Sequence, residues 1–407
     1  MRLVHVPSAQ KTKTNSRKFP KRTGILATIV CVCALNYLRP LPPAKITLSL
    51  PPLPQPQAVQ LAWPDFGQAA LTADGYDILA SHGAKTPLAT ASIAKVITAL
   101  CVLEKYPLQP GESGPFIVMT ADDVEAYHEQ IEKNGSLLPV YAGERMSEYE
   151  ALEALLVPSA NNIADTTARW AFGSDEAYRD YANSWLVQHG LYQTQVGSDA
   201  SGLDPSTRST AEDLARLGKI AQKNPVIMEI AGRKNVDFTY AGRYANYNTA
   251  LGTAGITGLK TGNNDENPGG LLFTADVPLD RSVVHLSGAV IGGVSLPDAI
   301  HASEELVRSA ATGFETIKYA QADQTVGNLG TAWGASTPII THDSLEIWRW
   351  KQSALERHSS VRKTNGLEVG AVGTLELKSD SARVATKLVI EKPVKNPSFW
   401  WRLTRLH

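Results

Sequence analysis

Thr90-Ala91-Ser92-Ile93-Ala94-Lys95-Val96-Ile97-Thr98-Ala99-Leu100 is the stretch on which the reading of this chain turns. A serine and a lysine three apart, opening an apolar run with helical spacing, put a hydroxyl and an amine on one helix face within reach of each other. That is a nucleophile beside its base. The pattern alone is common, and Ser8 to Lys11 and Ser360 to Lys363 repeat it. What separates Ser92 is company: Ser159-Ala160-Asn161 follows 67 residues later and Lys260-Thr261-Gly262 another 101 residues on. Each has a bland alternative. Ser159 could cap a helix after Pro158, Lys260-Thr261-Gly262 could be a strand running into a turn, and Lys95 could be a solvated helix lysine. Finding all three in order, on a helix start, an interhelical loop and a strand, argues for one site.

The chemistry follows from what an amide demands. Ser92 must lose its proton as it attacks a carbonyl, so a base must stand beside it, and Lys95 is the nearest candidate. A free lysine titrates near 10.4, so a neutral amine at pH 7 costs about 4.6 kcal/mol unless the site depresses the pKa. Burial would do that, as would a second cation, for which Lys260 is the candidate. The tetrahedral oxyanion needs preorganised donors, and the backbone N–H groups of Ser92 and Asn263 are the expected pair. Ser159 can relay the proton to the leaving amine, and Asn161 can hold a substrate amide. Lys260 and Thr261 would face a substrate carboxylate, and Gly262 would leave room for substrate along the strand.

Outward from these motifs, the chain reads as an α/β catalytic domain. Strand-like runs at Gln68 to Leu71 and Tyr76 to Ser81 flank Ala73-Asp74-Gly75, a hairpin signal. To about residue 225 the pattern is mostly helical. Ser147 with Glu150 forms a capping box, and helices are expected from about Asn162 to Trp170 and from Asp175 to Gln188, the latter capped by Ser174. Leu259 to Gly262, Leu271 to Ala275 and Val283 to Ile291 read as strands, and Pro297 to Ala311 as an amphipathic helix. One antiparallel sheet built from both ends of the domain, flanked by helices, is the expectation. The catalytic domain is placed at 59–315. Four β-like runs between Thr337 and Ile390 predict a small all-β domain at 316–392.

The ends carry an address. Residues 1–64 hold nine Lys or Arg and no acid, whereas the whole chain has net charge −1, so the remainder is acidic and nucleic acid is an unsuitable partner. Seven of those basic residues (Arg2, Lys11, Lys13, Arg17, Lys18, Lys21, Arg22) form a leader at 1–22. The uncharged segment 23–38 has an apolar centre that is short for a bilayer crossing. The expectation is an uncleaved signal anchor, cytoplasm-in, with the rest exported. Seven prolines between Pro40 and Pro56 predict a stiff polyproline spacer at 39–58 without a packed core. The aromatic and basic tail at 393–407 would either sit at a membrane interface or close the β domain. With Cys31 and Cys33 in the anchor and only Cys101 beyond it, no disulfide framework is expected.

The order S-x-x-K, S-x-N, K-T-G is that of penicillin-binding proteins and serine β-lactamases. Within that superfamily the chain resembles the serine-type D-alanyl-D-alanine carboxypeptidases, the low-molecular-mass penicillin-binding proteins, from about Leu71 to Phe314. The likeness rests on Ala91 to Ala99, Val157-Pro158-Ser159-Ala160-Asn161-Asn162, Ser201-Gly202-Leu203-Asp204, Ser209 to Leu214, and Gly258 to Gly262. It implies a β-lactamase/transpeptidase-like fold followed by a β domain, and a cell-wall enzyme that removes the terminal D-alanine of peptidoglycan stem peptides. It further implies acylation by β-lactams, no metal or other cofactor, and a membrane-associating tail.

Two departures stand out. The family usually places an arginine after the last strand for the terminal carboxylate, but Val294 to Glu304 contains no Arg or Lys, and Asn264 stands where Thr or Ser is usual. The alternatives are an endopeptidase on cross-linked wall, or a wall-binding or β-lactam-sensing protein of low turnover. A class A β-lactamase is disfavoured: the middle aspartate of S-D-N is missing, and no glutamate lies between Glu176 and Glu212.

Overall fold

The computed structural model describes residues 21–131 and 135–405, so the first 20 residues of the basic leader lie outside the described residues. Five antiparallel strands form the central sheet, in the order Ile256–Gly262, Gly269–Leu279, Ser282–Gly293, Gln68–Ala73, Ala80–Gly83. The hairpin at the front of the domain thus completes the sheet that the rear strands begin, with Ala70 opposite Ala289 and Leu71 opposite Ala80. Burial on both faces explains why the inner strands Gln68–Ala73 and Gly269–Leu279 are largely apolar rather than alternating, whereas the edge strand Ala80–Gly83 is mostly exposed.

The helices Ala211–Ala221 and Leu296–Ala311 pack on this sheet. Gly218 is required where the first of these crosses, because a Cβ there would lie 2.1 Å from Ser287 Oγ. The remaining helices form a lobe at the Lys260 edge. Ala94–Lys105 is its apolar axis, buried from Ala94 to Leu103, and Glu148–Leu156, Asn161–Phe172 and Asp175–Gln188 surround it. Their starts follow the sequence signals: Glu150 N donates to Ser147 Oγ at 3.2 Å while Ser147 N donates to Glu150 Oε2 at 2.8 Å. Asn161–Phe172 ends one residue before Gly173, whose φ is +94°.

Beyond this domain lies a six-stranded antiparallel sheet with its own apolar core around Leu329, Ile339, Leu375 and Leu388. Its edge strand, Lys45–Leu48, comes from the proline-rich segment and pairs Ile46 with Leu329. The expected spacer is therefore corrected: Ile46, Leu48, Leu50 and Leu53 pack on that core. The prolines flank residues 44–50 rather than interrupt them, which leaves an alternating run free to pair at a sheet edge. The polyproline remainder is held by the fully buried Arg349, which donates to Gln55 O at 3.0 Å and Ser353 O at 2.8 Å and pairs with Glu315 at 2.9 Å. Tyr319 OH donates to Pro51 O at 2.6 Å.

Among the described residues no helix is long and apolar enough to cross a membrane. The helix over the expected anchor, Lys21–Leu38, packs against the tail helix Phe399–Thr404. Asn36 Nδ2 donates to Leu403 O at 3.2 Å, Arg405 Nη2 donates to Asn36 O at 2.8 Å, and the Tyr37 and Phe399 rings lie 5.7 Å apart. Trp401 also meets Trp333 of the β unit, so the tail joins the N-terminal helix to that unit.

Candidate active site

Ser92 sits in a single 3-10 turn, Ala91–Ile93, which feeds directly into Ala94–Lys105. The turn is strained: Ala91 has φ +48°, a left-handed backbone that a side-chain-bearing residue adopts at a cost of about 1–2 kcal/mol. Two neighbours hold it. A Cβ on Gly202 would lie 2.2 Å from Ala91 O, and one on Gly262 would lie 2.6 Å from Thr90 O. The expectation for Gly262 is thus corrected. The space beside it is filled by the nucleophile turn, and glycine is needed so that the Lys260 strand can press against that turn.

Lys95 is fully buried, and its Nζ lies 2.9 Å from Ser92 Oγ, 2.7 Å from Asn161 Oδ1 and 2.8 Å from Ser201 O. As a neutral amine it has two hydrogens and one lone pair. The carbonyl oxygens of Asn161 and Ser201 accept the hydrogens, and the lone pair is left for the Ser92 hydroxyl proton. Burial pulls Lys95 down to about 7, against the fields of Asp165 and Asp199, which raise it. Lys260, also buried, is pushed well below the ordinary lysine value by burial and by the Lys95 charge. Lys260 Nζ donates to Thr261 O at 3.2 Å.

Asn161 opens its helix with its side chain on Lys95 and its N–H donating to Ser136 O at 2.8 Å. Asn162 fixes the same wall, accepting from Leu138 N and donating to Leu138 O. Ser159 is buried in the interhelical loop with φ +64°. Among the described residues its hydroxyl makes no hydrogen bond, and Lys95 turns to Asn161 and Ser201 instead. The structure thus gathers Ser92, Lys95 and Asn161 in one bonded cluster, with Lys260 and Thr261 buried on the adjoining strand.

A cleft of about 860 Å³ opens over this cluster, walled by Ser92, Asn161, Gly202, Leu203, Asn263 and Glu266 among others. Asn263 follows immediately on the Lys260 strand. Glu266 on this wall pairs with Arg208 at 2.6 Å. The segment from Val294 to Glu304 supplies no cation and carries Asp298 and His301.

Sequence reasoning singled out Ser201 to Asp204 in the loop behind Lys95 but not the two acids that support it, Asp199 and Asp165. Asp199 accepts from Ser201 N at 2.8 Å, Gly202 N at 2.5 Å and Leu203 N at 3.2 Å through one oxygen and from Asp204 N at 2.6 Å through the other. It holds Ser201 O towards Lys95. Asp165 accepts from Ala200 N and from Gln130 Nε2. A signal existed: Asp165 lies one helical turn after Asn161, in a run buried from Asn161 to Ala168.

The chain is similar to known proteins. Residues 69–283 match the family model described as D-alanyl-D-alanine carboxypeptidase, peptidase S11. The D-alanyl-D-alanine carboxypeptidase DacA of Escherichia coli K12 is 26% identical over 251 residues, 59% of each chain. The D-alanyl-D-alanine carboxypeptidase DacD of that strain is 25% identical over 331 residues, 77% of this chain and 82% of the relative. The match to DacA thus spans only 59% of that relative's length. Penicillin binding protein 5 from Haemophilus influenzae superposes with TM-score 0.57 at 18% identity, covering 84% of this chain and 99% of the other. The Streptomyces K15 DD-transpeptidase does so with TM-score 0.51 at 20% identity, covering 63% and 98%. These two likenesses concern the fold.

Proposed function

Because the chain belongs to the D-alanyl-D-alanine carboxypeptidase family, we propose that it removes the terminal D-alanine from peptidoglycan stem peptides through an acyl-enzyme on Ser92. The observation that carries this reading is the buried Lys95 amine 2.9 Å from Ser92 Oγ. Ser92 Oγ attacks the carbonyl carbon of the scissile amide as its proton passes to the Lys95 lone pair. The oxyanion is held by the N–H groups of Ser92 and Asn263. Collapse breaks the C–N bond, and the proton returns from Lys95 to the departing D-alanine nitrogen, with Ser159 as a relay. Water then attacks the ester carbonyl as its proton passes to Lys95, and collapse breaks the bond from the acyl carbon to Ser92 Oγ, which takes that proton back from Lys95. A β-lactam acylates Ser92 by the same first step, with its ring amide in place of the peptide.

Substrate is held by Asn161 on the peptide amide and by Lys260 and Thr261 on the terminal carboxylate. Incubation of the protein with a muropeptide pentapeptide should release one D-alanine by mass spectrometry, and Ser92→Ala should release none. An unchanged pentapeptide with folded wild type would overturn the assignment.

The site acts outside the cytoplasm, with the basic N-terminal segment and the tail as membrane contacts. Ile25, Leu26, Leu35, Phe399 and Trp400 are exposed on the paired end helices, which suits an interfacial seat. Flotation with anionic vesicles should retain the full chain and lose a form lacking residues 1–38. Equal flotation of both would contradict it.

A further inference from the structure

We propose that Asp165 is a positioning residue that sets the pH range in which Lys95 can act as base. It lies four residues after Asn161 on the same helix, so both side chains share one face behind the nucleophile. Asp165 is 8% exposed. One carboxylate oxygen accepts from Ala200 N at 3.0 Å and the other from Gln130 Nε2 at 3.1 Å. Ala200 O in turn accepts from Thr98 Oγ1 at 2.7 Å, one turn along the helix from Lys95. The next carbonyl, Ser201 O, accepts from Lys95 Nζ at 2.8 Å. A single buried carboxylate thus joins the Asn161 helix, the helix bearing Gln130 and the loop that completes the lysine's hydrogen bonds.

The two groups do not touch, because Lys95 directs its bonds to Ser92, Asn161 and Ser201. Asp165 acts on it through space. Ionised, Asp165 favours the ammonium and delays loss of the Lys95 proton. Neutral, it releases that proton at lower pH. Burial and the charge of Asp199 raise Asp165 above the ordinary carboxylate range, so its ionisation falls where Lys95 titrates. Among the described residues, the other ionisable groups around the pair are Cys101 and Glu104 on the Ser92 side, Asp123 and Arg169 beyond Thr166, Tyr178 on the neighbouring helix, Asp199 on the loop and Lys260 on the strand.

Asp165→Asn removes the charge and keeps an oxygen for Ala200 N. Its new amide can donate to Gln130 Oε1, a buried acceptor that lacks a partner. The inference rests on Lys95 being the base. The test is the pH profile of the second-order acylation rate by a β-lactam, for wild type and Asp165→Asn full-length protein. The acid limb should move to lower pH by about one unit in the variant. A wild type with no acid limb near neutrality would remove the base reading and this inference with it. A wild-type limb left in place by Asp165→Asn would overturn this inference alone, since a merely structural residue would alter rate or folding without moving the limb. Should Asp165→Asn fail to fold, Gln130→Met carries the same test. It withdraws a hydrogen bond from the ionised carboxylate and should shift the limb in the same direction by less, and an unmoved limb there overturns the inference equally.

Discussion

Two regions of this molecule bury a cation completely, and they treat it in opposite ways. Arg349, in the β unit, has Glu315 at 2.9 Å and backbone carbonyls around the rest of its guanidinium. Lys95, in the catalytic domain, has three neutral oxygens within 2.9 Å, while its two nearby acids make their hydrogen bonds to other groups. Direct contact with a carboxylate offsets the cost of burying a cation, and burial without one drives the proton off a lysine. The first cation clamps chain to chain. The second can give up its proton, which an arginine in its place could not.

The sharpest way to break this contrast is at the nucleophile. Ser92→Ala should lower acylation by at least about 10⁴-fold while leaving thermal unfolding unchanged, as checked by β-lactam adduct mass and calorimetry. Lys95→Arg should follow, with acylation down about 10³-fold because a fixed charge cannot accept the serine proton. Near-wild-type acylation by that variant would dissolve the distinction between the two cations.

The pH dependence of the wild type comes next. Burial lowers Lys95 to about 7, so the base is present above that value and protonated below it. Acylation should therefore fall as pH drops through about 7, towards tenfold per unit, and stopped-flow measurement with a fluorescent β-lactam checks it. In the other region the expected effect is on stability. Arg349→Met should destabilise the β unit by about 2–4 kcal/mol, since Glu315 and the proline-segment carbonyls lose their partner, with acylation per folded molecule unchanged. Ile46→Ala is the mildest change, expected to cost about 1 kcal/mol by loosening the edge strand.

The same contrast explains what could be read from the residues. Ser92, Lys95 and the Lys260 strand were legible because each is a short local pattern whose chemistry is intrinsic to the residue types. The capping box at Ser147 and the five-stranded sheet were legible for the same reason. Asp165 was not, because its meaning depends on Ala200 and Gln130, which are 35 residues away in opposite directions along the chain. The proline-rich segment misled, since proline density outweighed the alternation of Ile46, Leu48 and Leu50 that in fact joins the sheet. Gly262 misled differently: its lack of a side chain implied open space, whereas a backbone from the other end of the domain fills it. Contacts between particular side chains across the chain were hidden, and the patterns within each motif or strand were not.

The most direct test of the central claim is a titration of Lys95 itself, by NMR of protein carrying ¹³C at lysine Cε, with the resonance assigned by its loss in Lys95→Arg. The account predicts a midpoint near 7, far below the ordinary lysine value. A Lys95 signal that stays that of an ammonium to above pH 10 would contradict it, and would leave Ser92 without its base.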